Sequence, residues 1–120
     1  MEPDSPEILS RGAILERVGG DAEFLRELSG LFAENCPKLL AEIRGSISNR
    51  DPRALERAAH SLKGSVSNLG AGPAREAALR LEMLGRSGDL APAAEACSAL
   101  EREIERFTDA LAALARQLER

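Results

Sequence analysis

Residues 55–69 read LERAAHSLKGSVSNL, and the spacing of their apolar residues predicts an amphipathic helix. At about 100° of turn per residue, the apolar side chains fall on a single stripe. The stripe consists of Leu55, Ala58, Ala59, Leu62, Val66 and Leu69. His60, the only histidine of the chain, lies roughly 140° from this stripe. We therefore expect one side of the helix to face the core and His60 to be exposed on the other side.

Gly64 follows His60 by four residues, so the two positions are neighbours on the outer face of this helix. A glycine inside a helix costs roughly 0.5–1 kcal/mol relative to alanine. Because the predicted fold does not require a glycine on an exposed face, we attribute Gly64 to keeping the imidazole uncovered. Lys63 lies on the flank of the same face, and Arg53 and Arg57 on the outer side make the helix locally basic.

The composition indicates one helical domain. The chain has 120 residues, 43% of them hydrophobic, and three phenylalanines are its only aromatic residues. Leu, Ala, Glu and Arg dominate, which favours helices, and the richness in Ala, Arg and Gly is typical of bacteria with GC-rich genomes. The net charge of −4 argues against a nucleic-acid partner. The sequence contains no run of about 18 apolar residues, so we expect no membrane span. The first residues do not resemble a secretory signal, so we expect a cytoplasmic protein in which Cys36 and Cys97 are reduced core thiols.

Capping and helix-breaking residues divide the chain into helices. Residues 1–9 are predicted to form a loose arm, and Ser10 is predicted to cap a short helix that ends at Gly19-Gly20. A second helix, capped by Asp21 and kinked at Pro37, should reach about Asn49. The remaining helices are predicted from Asp51-Pro52 to Gly70-Ala71-Gly72, from Pro73 to Gly88, and from the cap Asp89 onward.

Each long helix carries one apolar stripe, which predicts how the helices pack. The stripes of the other three long helices are Leu25, Leu28, Phe32, Cys36, Leu39, Ile43 and Ile47; Ala77, Leu81 and Leu84; and Cys97, Leu100, Ile104, Phe107, Leu111, Leu114 and Leu118. Short loops between such helices predict an all-α, antiparallel up-down-up-down four-helix bundle with a short extra N-terminal helix, over residues 10–120. For the last stripe, a coiled coil between two chains is an alternative, although the other helices also need that face.

The chemistry available to this chain is limited by its single histidine. A zinc site built from several histidines is impossible, and the two distant cysteines do not have the spacing of metal ligands. The sequence contains neither a phosphate-binding loop nor the strained turn of a serine nucleophile. The chemistry that remains is His60 as a nucleophile, because a neutral imidazole can form covalent intermediates. The alternative is an ordinary surface histidine among solvated charges.

Several parts of the sequence resemble a known family. His60-Ser61-Leu62-Lys63-Gly64, continuing from Ser65 to Leu69-Gly70-Ala71, resembles the signature of the histidine-containing phosphotransfer (HPt) domain. The same family is resembled at Leu15-Glu16-Arg17-Val18-Gly19-Gly20-Asp21, at Leu81-Glu82 and at Arg86. The resemblance covers nearly the whole chain, from about Ile8 to Leu114.

The resemblance implies a phosphorelay intermediate that passes a phosphoryl group between aspartates of receiver domains. His60 would carry the group on its outward ring nitrogen, Lys63 would steady the phosphoryl oxygens, and Gly64 would leave room for the phosphate and the partner. Such a domain has no kinase activity of its own and needs no cofactor, since the magnesium belongs to the receiver. The partners would be receiver domains of response regulators or hybrid histidine kinases, bound by a monomer.

Supporting roles are also implied by the resemblance. Glu82 is a candidate to hydrogen-bond the inner ring nitrogen of His60, or else a surface carboxylate paired with Arg86 or Arg75; some family members have glutamine near this position. Arg86 would add positive charge beside the site. The candidate docking residues are Ile14, Leu15, Phe24, Leu28, Arg57 and Ser67. The four apolar residues of this set could instead belong to the core. The alternative function for the whole protein is a module that binds receiver domains without phosphotransfer.

Overall fold

The computed structural model describes residues 11–118, which form five α-helices and contain no β-strand. The helices are α1 (Arg11–Val18), α2 (Ala22–Ser48), α3 (Pro52–Ser67), α4 (Gly72–Ser87) and α5 (Ala93–Leu118). The predicted all-α class is therefore confirmed. The predicted arm over residues 1–9 and the predicted Ser10 cap lie outside the described residues. Within the described part of the chain, none of the helices is both long enough and apolar enough to cross a membrane.

Helices α2 to α5 form the predicted up-down-up-down bundle. Each packs against the next in chain order, and α5 closes the ring against α2. The rings of Phe32 in α2 and Phe107 in α5 meet edge to face, with centroids 5.4 Å apart. Helix α1 packs on α2 and contributes Ile14 and Val18 to the core. The apolar stripe of α5 is buried within this one chain except for Leu118, which is partly buried, so the bundle itself covers this face.

The sequence predicted the position of α3 and the direction of its faces. The Asp51 side chain accepts a hydrogen bond from the N–H of Ala54 at 3.1 Å, and Pro52 occupies the first turn. All six residues of the predicted stripe are buried: Leu55, Ala58, Ala59, Leu62, Val66 and Leu69. This burial holds α3 in one orientation, so its opposite face is presented to solvent. Pro37 lies inside α2 without ending that helix, and the kink stays a prediction.

The predicted start of the last helix is wrong. Helix α5 begins at Ala93, and the Asp89 carboxylate instead accepts a hydrogen bond from the N–H of Ala91 at 3.3 Å. An aspartate that bonds the N–H two residues ahead stabilises a turn rather than a helix start. The N–H of Ala93 then donates to the carbonyl of Leu90, and the chain enters α5 after Pro92.

The predicted inward face of α4 is only partly right. Leu81 is fully buried, but Ala77 and Leu84 are partly buried, because the helix turns a neighbouring face inward. The buried face consists of Ala74, Ala78, Leu81, Glu82 and Gly85. The cause is the close approach of α3. A Cβ atom at Gly85 would lie 2.7 Å from the backbone nitrogen of Glu56 and 2.8 Å from the carbonyl oxygen of Pro52.

Both cysteines are free and buried, as the sequence predicted. Burial raises the pKa of the Cys36 thiol to about 11. Burial, with the nearby charge of Glu101, also raises the pKa of Cys97. Both thiols are therefore protonated near neutral pH and fill core space as small apolar groups.

Replacing Gly85 by alanine should lower the stability of the fold. The new methyl group meets backbone atoms of α3 that cannot rotate away, so we expect a loss of about 1–3 kcal/mol, as for other overpacked sites. The matched control is Gly64→Ala, because a Cβ there meets nothing within 4 Å. That change should stabilise the helix by roughly 0.5–1 kcal/mol. Denaturant unfolding followed by far-UV circular dichroism measures both, and equal stabilities for the two variants would contradict the packing account.

Candidate functional site

His60 projects from the solvent-facing side of α3. Its side chain is 67% exposed, whereas its neighbours Ala59 and Leu62 are completely buried. The imidazole is therefore accessible although the backbone that carries it is firmly packed. The predicted outward direction of His60 is confirmed.

Gly64 lies one turn beyond His60 on the same exposed face. A Cβ atom at this position would meet nothing within 4 Å, neither the imidazole nor any other described side chain. Packing inside the described part of the chain therefore gives no reason for a glycine here. The space above Gly64 is available to a group that binds from outside.

The inner side of the imidazole faces a buried carboxylate. Glu82 of α4 is only 3% exposed, and its Oε2 atom lies 3.0 Å from His60 Nδ1. A carboxylate can only accept hydrogen bonds, so Nδ1 must carry the proton in this contact. In the neutral ring, the lone pair then resides on Nε2, which is the outward nitrogen. Glu82 thus fixes both the tautomer and the orientation of His60.

Two cations neutralise the buried carboxylate. The Nζ atom of Lys63 lies 2.7 Å from Glu82 Oε1, and Nη2 of Arg86 donates to Oε2 at 3.0 Å. Burial raises the pKa of Glu82, but hydrogen bonds and charges from Lys63 and His60 outweigh it, so the net pKa is lowered. Glu82 is therefore ionised near neutral pH. Glu82 was predicted either to position His60 or to be a surface carboxylate paired with Arg86 or Arg75. Its burial and its contact with His60 fit the positioning role, although the pairing with Arg86 is also present. Arg75 instead pairs with Glu76.

Glu56 joins this cluster, and sequence reasoning missed it. Its Oε2 atom accepts a hydrogen bond from Arg86 Nε at 2.9 Å, which links α3 to α4 a second time. The hydrogen bond with Glu56, followed by the charge of Glu56, contributes most to raising the pKa of Arg86, and Glu82 adds to it. The signal that could have found Glu56 is its position four residues before His60, which places both on one face of α3.

The predicted docking residues differ in their exposure to solvent. Ile14 is 1% exposed and belongs to the core, so its predicted role in docking is wrong: it has no surface to offer a partner. Phe24 is 40% exposed, Leu15 and Leu28 are partly buried, and Arg57 and Ser67 are exposed. Leu28 lines a groove of about 160 Å³ between α2 and α3. The other lining residues are Arg17, Leu31, Phe32, Asn35, Cys36, Leu39, Ser65, Asn68 and Leu69.

Among residues 11–118, no three His, Cys, Asp or Glu side chains cluster in a way that could hold a metal ion. The chemistry that the cluster supports is that of a nucleophilic imidazole, held at Nδ1 by an ionised carboxylate and open at Nε2. A helical bundle with such a surface histidine has the features of a protein that carries a group on that histidine.

Comparison with known proteins identifies the protein family. The chain matches the model of the Hpt domain family over residues 27–110. Its fold is similar to the crystal structure of histidine-containing phosphotransfer protein B (HptB) from Pseudomonas aeruginosa PAO1, with a TM-score of 0.86 and 23% sequence identity. That alignment covers 94% of this chain and 98% of the other. A search of curated proteins gives no significant match.

The family match spans more than half of the chain, so the protein belongs to the Hpt domain family. Hpt domains are histidine phosphotransfer intermediates in phosphorelays, and this is the functional class of the chain. The similarity to HptB independently supports the fold.

The lowered pKa of Glu82 predicts a pH-dependent contribution to stability. Because the folded-state pKa lies below its ordinary value of 4.5, this contribution is complete above that value and is lost as the pH falls through the lower folded value. The wild type should therefore be more stable than Glu82→Gln at neutral pH, and the difference should narrow as the pH falls below 4.5. Denaturant unfolding of both proteins over this range measures the difference. A gap that stays constant down to low pH would contradict the ionised, partnered carboxylate.

Proposed function

We propose that His60 is the residue that carries the phosphoryl group, and that the group is attached to Nε2. The observation that supports this most directly is the 3.0 Å contact between Nδ1 and Glu82. It occupies the inner nitrogen and leaves the lone pair on the nitrogen that faces solvent. The exposure of the ring provides access for a second protein.

The transfer step follows from this geometry. The Nε2 lone pair attacks the phosphorus of an aspartyl phosphate on a receiver domain, forming the N–P bond. The bond from phosphorus to the aspartate oxygen breaks, and its electron pair leaves with the carboxylate. The imidazole keeps its proton on Nδ1 and gains positive charge, which the Glu82 carboxylate stabilises, as a buried aspartate does for a catalytic histidine. Transfer to a second receiver is the reverse of this step.

Lys63 and Gly64 complete the proposed site. Lys63 has three N–H donors, so its contact with Glu82 Oε1 leaves others for a phosphoryl oxygen. Lys63 can therefore contact the buried carboxylate and the incoming phosphoryl group at the same time. Gly64 provides open space beside the ring, where a larger side chain would crowd the phosphoryl group or its carrier.

The partners are proposed to be receiver domains of response regulators or hybrid kinases. Exposed apolar surface is available at Phe24 and at the groove that includes Leu28 and Leu31, and Arg57 and Ser67 are polar residues exposed on α3. Such a surface suits a transient signalling interface of modest size. We further propose that the protein acts as a cytoplasmic monomer without kinase activity, nucleic-acid partner or cofactor, and that the receiver supplies the magnesium.

A transfer assay with phosphorylated receiver domains tests the assignment. Incubating the protein with a panel of such receivers should place acid-labile phosphate on the wild type and none on His60→Gln, whose fold should be intact because the site is exposed. Lys63→Ala should accept phosphate more slowly, because it loses a charge beside the phosphoryl oxygens. The matched control is Lys38→Ala, since Lys38 is the only other lysine and lies exposed on α2.

Two outcomes would contradict the assignment. Label that persists in His60→Gln would place the phosphate on another residue. A receiver that binds the wild type tightly yet never labels it would favour a binding module without phosphotransfer.

A further inference from the structure

A continuous series of contacts leads from Glu56 to the imidazole. Glu56 precedes His60 by four residues on α3, and Arg86 follows Glu82 by four residues on α4. Arg86 Nε donates to Glu56 Oε2 at 2.9 Å, and its Nη2 donates to Glu82 Oε2 at 3.0 Å. That same Glu82 oxygen lies 3.0 Å from His60 Nδ1. Arg86 and His60 thus share one acceptor atom, and Glu56 holds the other side of Arg86.

Packing fixes Glu56 in this position. Gly85 brings the backbone of α4 against the backbone of α3 at Pro52 and Glu56. Glu56 therefore lies at a point of close approach between the two helices, with its side chain 34% exposed and that of Arg86 56% exposed. Since Arg86 is half open to solvent, its own packing does not determine where its guanidinium lies. Its position is set by the contacts with the two glutamates, together with a longer contact from Nη1 to Met83 Sδ at 3.7 Å.

The charge of Glu56 also matters for the chemistry. Glu56, Glu82, Lys63 and Arg86 together carry no net charge, because two carboxylates face two cations. Removing the Glu56 carboxylate leaves an excess positive charge next to the imidazole. It also leaves Arg86 with Glu82 as its only carboxylate partner among the contacts of this cluster, so Arg86 competes more strongly with Nδ1 for the shared oxygen. Both effects oppose the positive charge that the ring gains when Nε2 binds phosphorus.

We propose that Glu56 is a positioning residue for phosphotransfer. It acts through Arg86 and Glu82, keeping the Glu82 oxygen available to Nδ1 and thereby the Nε2 lone pair available to phosphorus. The proposal rests on the proposed role of His60. Glu56 itself touches neither the phosphoryl group nor the partner.

The test compares Glu56→Ala and Glu56→Gln with a control of similar exposure. The control is Glu103→Ala on α5, which removes the Arg106–Glu103 pair with side chains 58% and 26% exposed. Three quantities are measured for each protein: the ¹⁵N shifts of the neutral His60 ring, which report which nitrogen carries the proton, the rate of phosphoryl uptake from a receiver, and the affinity for that receiver. Thermal unfolding verifies that all three variants are folded.

In Glu56→Ala, we expect the population protonated on Nδ1 to fall and the uptake rate to drop by up to about tenfold, the upper end of the factor for one ordinary hydrogen bond. Glu56→Gln retains an acceptor for Arg86 Nε and should fall between Glu56→Ala and the wild type. Receiver affinity should not change, and Glu103→Ala should match the wild type in every measurement.

Wild-type ¹⁵N shifts in Glu56→Ala would overturn the proposal, whatever happens to the rate. A loss of receiver affinity with unchanged shifts would also overturn it, because Glu56 would then contact the partner directly. If the wild type is never labelled on His60, the proposed function fails instead. The ¹⁵N shifts still decide whether Glu56 positions the ring, since they need no receiver.

Discussion

The structure depends on one buried charge. The Glu82 carboxylate lies in the interface of α3 and α4, where an unpaired ionised group would be strongly destabilising. It is tolerated because Lys63, Arg86 and the Nδ1 proton of His60 surround its two oxygens. The same contacts that make its burial possible set the tautomer of the histidine. Stability and reactivity are therefore coupled at this carboxylate.

The rest of the bundle keeps that carboxylate opposite the histidine. Helices α3 and α4 have 16 residues each and lie between the longer α2 and α5, with 27 and 26 residues. The small side chains and Gly85 on the inward face of α4 allow its backbone to approach α3 closely. A wider separation would move Glu82 out of hydrogen-bond reach of Nδ1. The apolar stripe of α3 fixes the outward direction of His60.

Sequence reasoning was most successful where the decisive interactions are local. The burial of Leu55 and Leu62, the exposure of His60 and the proximity of Gly64 follow from helical periodicity alone. The cap at Asp51 follows from the backbone needs of the first turn. Asp89 was misassigned because an aspartate can stabilise either a turn or a helix start, and the sequence does not distinguish them.

Interactions between helices were not predictable in the same way. The link from Glu56 to Arg86 depends on the register of α3 against α4, which no spacing within one helix encodes. The inward face of α4 was misjudged because a glycine contact, rather than a large apolar residue, determines it. Ile14 was misplaced since a short helix gives too few positions to separate a core face from a docking face. The family resemblance suggested Glu82 as a partner of His60. The contact between the Glu82 carboxylate and Lys63 was found only in the structure.

The central claim is that Glu82 directs chemistry to the outward nitrogen of His60. Phosphorylating a uniformly ¹⁵N-labelled sample and recording the ¹⁵N–³¹P couplings of the histidine ring would test this most directly. The account predicts coupling of phosphorus to Nε2, with the proton retained on Nδ1. Phosphorus attached to Nδ1 would contradict it, because that nitrogen is the one that the carboxylate holds.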